Sequence, residues 1–235
     1  MRILFLGDII GLPGCKAVNS HLPKIIKKHQ IDFVIVNGEN CAKNGMGITE
    51  DIANSLFKSG VNVITSGNHI WDQKETATHI KKEDRLLRPF NSFDQAPGKG
   101  FKVYNLENNF KICVLNLMGN IFMKKSKNVF KTAKKFIENN YLKKNYDFLV
   151  VDFHTETSTE KMAMGHFFDG KATLVIGTHT HVPTNDARIL KNGTAYQTDA
   201  GMTGNYDSVM GYDKNIFIKR FLREGVKKNF PKKDN

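Results

Sequence analysis

The sequence has little cysteine, and this scarcity excludes two classes of small domain. Only Cys15, Cys41 and Cys113 occur among 235 residues, and no two of them form a Cys-x-x-Cys pair. A thiolate zinc finger needs closely spaced cysteine pairs, and a disulfide scaffold needs a dense, even-numbered set. We therefore expect free thiols, a reducing cytoplasmic location and stability that comes from an ordinary hydrophobic core.

The chain also lacks a long apolar run and an internal linker. No stretch approaches the ~20 apolar residues that a membrane-spanning helix needs. The first residues, MRILFLGDIIG, are interrupted by Asp8 and predict a β-strand, whereas a signal peptide would need a longer apolar run and a cleavage site. We expect one domain over residues 1–220, followed by a basic tail at 221–235, and no membrane partner.

Acidic residues are scarce in two segments, and these segments account for the net charge of +12. Lys124–Lys144 has eight lysines against one glutamate, and Lys219–Asn235 has seven basic residues against two acidic ones. Apolar residues recur at helical spacing in the first segment, which predicts that its lysines form the solvated face of a helix. The alternative is a surface that binds the phosphates of RNA.

The chain does have short apolar runs that alternate with helical patterns, which is typical of an α/β fold. Uniformly apolar strands indicate a parallel sheet that is covered on both faces. Asn192-Gly193 lies between two strand-like runs and predicts a hairpin. The predicted strands span 3–7, 32–38, 61–67, 101–106, 110–117, 147–153 and 173–177. The predicted helices span 15–29, 49–59, 72–82, 128–142, 158–168 and 213–223.

Polar side chains follow five of these strands. Ligands of open α/β sheets bind beyond the carboxyl ends of the strands. A helix cap, a turn or a buried histidine could explain each residue alone, but such residues at five strand ends favour one shared metal site. In strand order these residues are Asp8, then Glu39 and Asn40, then Asn68 and His69, then His154, and finally His179 and His181.

The types of side chain indicate two metal ions. Without His69, the set has two carboxylates, two carboxamides and three imidazoles. These seven candidates are too many for one ion with an open position, whereas a bridging carboxylate allows two ions to share them. Mixed nitrogen and oxygen donors without thiolate favour iron, manganese or zinc over calcium and copper. A pair of such ions can activate a shared water for hydrolysis.

Six ordered motifs carry a resemblance to a known family. GDIIG, NGEN, SGNHIWD, DFHTET, GTHTHVP and DAGMTG resemble the YmdB-like bacterial phosphodiesterases, a branch of the calcineurin-like metallophosphoesterases, over residues 1 to about 215. The resemblance implies an α/β/β/α sandwich with a metal site at the carboxyl ends of the strands. The usual Asp-x-His is Asp8-Ile9-Ile10 here, and Glu39 replaces the usual bridging aspartate. Both departures resemble the YmdB-like branch, in which Asn40 would stand in for the lost histidine. The resemblance also predicts further β structure after about residue 220, where this chain is rich in lysine. It leaves open whether the chain forms a homo-oligomer.

The resemblance also implies a role for each residue. Glu39 would bridge two transition-metal ions, iron or manganese rather than zinc. His69 would stabilise the phosphoryl group or protonate the leaving oxygen; its alternative is a solvated imidazole beside a ligand. One ion would bind Asp8, Glu39, Asn40 and His181; the other would bind Glu39, Asn68, His154 and His179; Asp72 and Glu156 would accept hydrogen bonds from histidines.

Two functions follow from this reading. The first is a metal-dependent phosphodiesterase that hydrolyses a small phosphodiester, such as 2′,3′-cyclic AMP, by attack of a metal-bound hydroxide. The second is a non-catalytic RNA-associated or regulatory protein that retains the metal fold and binds through its basic segments. The sequence favours the enzyme over RNA binding because all seven ligand candidates and His69 are present together.

Overall fold

A computed structural model describes residues 1–106, 109–140 and 143–224, and it contains two β-sheets that pack face to face. The strands are β1 (Ile3–Leu6), β2 (Asp8–Ile9), β3 (Phe33–Asn37), β4 (Val63–Thr65), β5 (Phe101–Asn105), β6 (Lys111–Met118), β7 (Phe148–His154), β8 (Leu174–Thr178), β9 (Arg188–Ile189), β10 (Ala195–Gln197) and β11 (Met202–Thr203). The helices are α1 (Gly11–His29), α2 (Glu50–Lys58), α3 (Thr76–His79), α4 (Val129–Asn139), α5 (Ser158–Phe168) and α6 (Lys214–Phe221).

The strand order places the amino-terminal third of the chain in one sheet and the remainder in the other. The first sheet has the order β1-β3-β4 and is parallel throughout. The second has the order β5-β6-β7-β8-β10-β9, with a parallel centre and antiparallel edges. A short parallel pair, β11-β2, joins the end of the chain to the strand that carries Asp8.

Three apolar clusters show that the molecule has four layers. Ile35, Val63 and Val150 belong to the cluster between the two sheets. A second cluster packs helices α1 and α2 on the outer face of the first sheet, and a third packs α4 and α5 on the outer face of the second. Burial of apolar surface contributes roughly 25 cal/mol per Å², so these clusters dominate the stability of the layers. The α/β/β/α sandwich is therefore confirmed.

Two expectations about secondary structure were wrong. Outside the predicted hairpin the strands are not all parallel, because β5 pairs antiparallel with β6. The predicted helix at 72–82 is reduced to α3, since residues before it make successive turns in which Ile70 N–H donates to Gly67 and Asp72 N–H donates to His69. The hairpin at Asn192-Gly193 is confirmed, and Gly193 has a φ of 99° that favours glycine.

The first basic segment has two environments. On α4, Lys131, Lys134 and Lys135 are exposed while the opposite face is buried, which confirms a solvated helix face. Lys124 and Lys127 precede the helix and form ion pairs with Asp72 and Asp94, so the helix-face interpretation was wrong for these two lysines. The reason is that the chain turns before Val129, which directs this stretch toward the loops at the strand ends.

The remaining expectations concern thiols, membranes and the tail. All three cysteines are buried free thiols, as expected. Among the described residues, no helix is long and apolar enough to cross a membrane. Helix α6 ends at Phe221, the first residue of the predicted basic tail, and residues 225–235 of that tail lie outside the described residues.

Candidate metal centre

The loops after three strands, together with β2 and the end of β7, bring the seven predicted ligands to one edge of the two sheets. Five of the side chains are at least nine-tenths buried, while Asn68 and His179 are partly exposed. Such burial of polar groups is costly unless they are hydrogen-bonded or coordinate a metal ion. In chain order the seven residues are Asp8 on β2, Glu39 and Asn40 after β3, Asn68 after β4, His154 at the end of β7, and His179 and His181 after β8.

One group of ligand atoms converges on the imidazole of His154. Its Nε2 lies 2.8 Å from Glu39 Oε1, 3.2 Å from Asn68 Oδ1 and 3.0 Å from His179 Nδ1. The ligand atoms of Glu39, His154 and His179 all lie within 4.8 Å of one another. This spacing suits coordination of a single ion by imidazole and carboxylate donors.

A hydrogen-bond chain behind His154 fixes which ring nitrogen has the proton. Nδ1 of His154 lies 2.9 Å from Thr178 Oγ1, and Thr178 donates its hydroxyl proton to Asp152 Oδ1 at 2.7 Å. Since this hydroxyl has only one proton, it must accept from the Nδ1–H of His154. Nε2 is therefore the nitrogen with a free lone pair in the neutral ring, as a metal ligand requires.

The other two histidines are oriented in the same way. Nδ1 of His181 lies 3.0 Å from the carbonyl oxygen of Met210, which can only accept a hydrogen bond. Nε2 of His179 lies 3.1 Å from a carboxylate oxygen of Glu156. Each ring therefore has its proton on the nitrogen that faces the surrounding protein, and its other nitrogen is free to bind a metal.

Two buried oxygens supply an independent test of whether a metal fits. Asp8 Oδ1 and Asn40 Oδ1 are buried, and neither has a hydrogen-bond partner in the part of the chain that the structure describes. The other polar atoms of these side chains are satisfied, because Asp8 Oδ2 accepts from His179 N–H and Asn40 Nδ2 donates to the carbonyl of Gly45. Buried acceptors without partners are costly, and a bound cation would satisfy both.

The backbone around the centre is adapted to close packing. A Cβ atom on Gly67 would lie 2.1 Å from His154 Cδ2 and 2.2 Å from Glu39 Oε2, so only glycine leaves room for these two side chains. His179 and His181 have φ values of 103° and 64°, in the left-handed region. Left-handed residues other than glycine cost about 1–3 kcal/mol each and occur where the surrounding structure imposes them, often at functional sites.

Burial and neighbouring charges shift the pKa values of the buried groups. Burial alone would raise the pKa of Glu39, but the charge of His154 and its hydrogen bond lower that pKa to about 2. Burial raises the pKa of Asp8. For His154, burial opposes the charged form, but the Glu39 carboxylate outweighs it and raises the pKa to about 9. Burial and the neighbouring His154 charge lower the pKa of His179 to about 3. The cationic imidazole of His154 thus balances the charge of the buried Glu39 carboxylate. Bound metal ions would neutralise this carboxylate in place of the imidazole.

His69 lies at the rim, next to the ligands. Its backbone N–H donates to Glu39 Oε2 at 3.1 Å, and its Nδ1 lies 2.6 Å from Asp72 Oδ2. The other oxygen of Asp72 lies 2.9 Å from Lys124 Nζ. Burial opposes ionisation of Asp72, but the bonds from His69 and Lys124 lower its pKa. Since Nδ1 of His69 donates to Asp72, its Nε2 can exchange a proton with a bound substrate.

Four buried residues behind the centre were not predicted as site residues from the sequence. Asp152 interrupts the apolar run of β7 two residues before His154, and a carboxylate in a buried strand is a signal that could have been used. Thr178 is inconspicuous in a strand. Lys161 and Asp199 are each 1% exposed. Asp199 begins the DAGMTG motif, which was a signal for it, whereas Lys161 offered none because helical lysines are usually solvated.

Comparisons with known proteins agree with the motifs. A family model described as YmdB-like protein matches residues 4–235. This chain belongs to the YmdB-like family. It is 45% identical over 221 residues to the 2′,3′-cyclic-nucleotide 2′-phosphodiesterase of Bacillus subtilis, covering 94% of this chain and 82% of that relative.

Two solved structures share the YmdB-like fold. A hypothetical protein from Thermus thermophilus superposes with a TM-score of 0.90 at 38% identity, covering 100% of this chain and 89% of the other. A novel phosphatase from Mycoplasma pneumoniae superposes with a TM-score of 0.90 at 36% identity, covering 99% and 83%. The resemblance drawn from the motifs is confirmed, whereas the roles of individual residues stay predictions.

Proposed function

We propose that this YmdB-like chain is a phosphodiesterase that binds two transition-metal ions and hydrolyses a small cyclic nucleotide. The name of the Bacillus subtilis relative supports this class of substrate. One observation from the structure supports metal binding most strongly. Each of the three histidines has one ring nitrogen at hydrogen-bond distance from a protein oxygen, which leaves its other nitrogen available to a metal ion. In addition, Asp8 Oδ1 and Asn40 Oδ1 are buried without a hydrogen-bond partner among the described residues.

The proposed ligand sets are those that the family resemblance implies. One ion would be held by Glu39, Asn68, His154 and His179; atoms of the other three residues lie 2.8–3.2 Å from His154 Nε2. The second would be held by Asp8, Glu39, Asn40 and His181, a set that includes both unpartnered oxygens. Glu39 would contribute its carboxylate to both ions. Iron or manganese suits these nitrogen and oxygen donors, and zinc is the alternative.

Two such ions supply an activated water and a clamp on the phosphoryl oxygens. The residues of this chain supply orientation and proton transfer. Asp72 holds the imidazole of His69 at 2.6 Å, so the ring has a fixed direction beside the ligands. In its cationic form His69 donates a proton from Nε2 to the leaving oxygen of the substrate, which general-acid catalysis requires.

Metal analysis combined with turnover tests this proposal on the purified full chain. We expect about two equivalents of transition metal and hydrolysis of 2′,3′-cyclic AMP in a panel that includes 3′,5′-cyclic AMP and bis(p-nitrophenyl) phosphate. Chelation should abolish turnover, and Mn²⁺ should restore it. Protein that retains two ions but hydrolyses none of these diesters would contradict the proposed activity.

The bridging role of Glu39 is tested separately. Glu39→Gln should reduce occupancy of both ions, whereas Asn40→Ala should mainly reduce that of the ion held by Asp8 and His181. Both variants alter a buried polar group next to the same strand, so Asn40→Ala is a control for general disturbance. A full metal complement in Glu39→Gln would rule out a bridging carboxylate.

A further inference from the structure

A buried ion pair lies behind the loop that carries His179 and His181. Lys161 of α5 and Asp199, which follows β10, are each 1% exposed, and Lys161 Nζ lies 2.5 Å from Asp199 Oδ2. The stem of the lysine passes alongside β8 at Gly177. A Cβ atom at Gly177 would lie 2.8 Å from Lys161 Cδ, so the absence of a side chain there lets the lysine pass.

The remaining hydrogen bonds of Asp199 extend to this loop. Oδ2 accepts from the backbone N–H and the hydroxyl of Thr180, at 3.2 and 2.8 Å, and Oδ1 accepts from the N–H of Gly201 at 2.7 Å. Thr180 is the single residue between His179 and His181. One carboxylate therefore holds the residue on which the positions of both imidazoles depend.

The conformation of the two histidines needs such a restraint. Both have left-handed φ values, which residues other than glycine adopt only when the surrounding structure imposes them. The hydrogen bonds to Thr180 fix the backbone between the two histidines. Met210 and Glu156 fix only the rings, through His181 Nδ1 and His179 Nε2.

We propose that Lys161 and Asp199 are positioning residues, which hold Thr180 so that His179 and His181 each direct a free nitrogen at a metal ion. Lys161 supplies the opposite charge to the buried Asp199 carboxylate, which accepts three other hydrogen bonds. Burying two charges is costly, and apolar residues would stabilise the fold at least as well. The hydrogen bonds that Thr180 donates to Asp199 explain why this pair is present despite that cost. The inference rests on the proposed function, because it takes the two histidines as ligands.

The test replaces the pair with apolar residues of similar size. Exchanging a buried ion pair for apolar side chains is often neutral for stability. The double variant Lys161→Met, Asp199→Leu should therefore remain folded, with a melting temperature lowered only by the loss of the acceptor for Thr180 and Gly201. Metal-free protein is titrated with Mn²⁺ in a calorimeter. We expect the double variant to bind Mn²⁺ about 10- to 100-fold more weakly, the usual effect of losing a group that orients metal ligands.

A second variant covers the case in which the double variant does not fold. Thr180→Val removes the hydroxyl that donates to Asp199 at 2.8 Å and lies 3.4 Å from the carbonyl oxygen of Val182, and Mn²⁺ affinity should fall about tenfold. The matched control is Thr194→Val, which removes a buried hydroxyl that donates to the carbonyls of Phe168 and Ala172. Thr194 precedes Ala195, which pairs with Leu174 at the far end of β8. This control should bind Mn²⁺ with unchanged affinity.

The outcomes separate this inference from the proposed function. If the unaltered protein binds no Mn²⁺, iron or zinc, both fail together. If the unaltered protein binds Mn²⁺ and the folded double variant binds it equally well, only the positioning role fails. Equal losses in Thr180→Val and Thr194→Val would also overturn the inference, because the effect would then be general destabilisation.

Discussion

Gly67 and His154 are in such close contact that a methyl group on Gly67 would overlap the imidazole ring. The Cβ atom would lie 2.1 Å from Cδ2 and 2.3 Å from Nε2 of His154, and 2.2 Å from Glu39 Oε2. Real Cβ atoms do not approach other atoms this closely in a dense protein interior. The glycine is therefore what lets the end of β4 approach the carboxylate and imidazole that we propose as ligands.

Gly67→Ala should displace His154 and Glu39 and thereby remove metal from the centre. We expect the metal content to fall from about two equivalents to less than one, and phosphodiester turnover to fall with it. The control is Gly204→Ala, because a Cβ there would make only ordinary contacts of 3.4 Å or more with Ile10. Elemental analysis of both variants measures the metal content. A full metal complement in Gly67→Ala would show that the centre is misassigned.

His69→Ala should separate metal binding from catalysis. His69 contacts Glu39 only through its backbone N–H, so removal of the ring leaves the proposed ligands in place. We expect unchanged metal content and turnover lowered about 10²- to 10⁴-fold, the usual scale for a positioned acid or base. Asp72→Asn should have a smaller effect in the same direction, because the ring keeps a neutral partner. Turnover at the normal rate in His69→Ala would mean that the ring takes no part in the reaction.

Lys124→Gln should lower turnover, whereas the neighbouring Lys125→Gln should not. Lys124 is 52% exposed and its ion pair with Asp72 is a surface interaction, worth about 0–1 kcal/mol. Its loss should therefore lower turnover at most about fivefold, and the difference should shrink in high salt, which screens the pair. Steady-state rates for both variants at two ionic strengths provide the measurement. Equal effects of the two substitutions would indicate general attraction of an anionic substrate instead.

Asp186 should contribute stability that is lost in acid. Burial opposes ionisation, but hydrogen bonds from Thr184 and Thr198 lower the pKa of Asp186 to about 2. A carboxyl with a lowered pKa stabilises the fold above its unfolded pKa of about 4, and that stability disappears as the pH falls toward 2. The side chain is 31% exposed, so we expect about 1–2 kcal/mol after screening.

Urea unfolding of Asp186→Asn and the unaltered protein at pH 7 and pH 3 measures this contribution. The variant should be less stable by that amount at pH 7, and the difference should narrow at pH 3. A difference that stays constant with pH would mean that the carboxylate charge is not its source.

The polar residues at the strand ends could be predicted from sequence because parallel strands deliver their carboxyl ends to a common edge. That rule needs only the positions of the strands, and it gave the right neighbourhood for Asp8, Glu39, His154 and His179. The rule does not predict that the strands form two sheets, because a buried apolar strand has the same composition whichever sheet it belongs to. The layered fold came from the family resemblance.

The support behind the ligands could not be predicted, for a different reason. Lys161 and Asp199 are 38 residues apart, and their contact depends on how α5 lies across β8. Lysine on a helix almost always reaches solvent, so composition argues against its burial. Lys124 illustrates the opposite case, in which the sequence predicts a solvated lysine but the structure gives it a specific partner. It belongs to a lysine-rich segment but lies in the loop before α4, where it contacts Asp72.

The lysines of α4 provide the test between a small substrate and RNA. Lys131, Lys134 and Lys135 are exposed on one helix face, and Lys134 lies 4.0 Å from Glu138. Each phosphate contact contributes about −0.7 to the slope of log affinity against log salt for single strands. If these three lysines bound RNA, replacing them with glutamine would flatten that slope by roughly two units.

We expect a shallow slope for an oligoribonucleotide and no change in the Lys131→Gln, Lys134→Gln, Lys135→Gln variant, because these charges lie on a solvated helix face. Turnover of 2′,3′-cyclic AMP should also be unchanged. The matching arginine replacements preserve the charge and serve as the control. A slope steeper than about −3 that the glutamine variant loses and the arginine variant retains would move the substrate from a cyclic mononucleotide to a polymer.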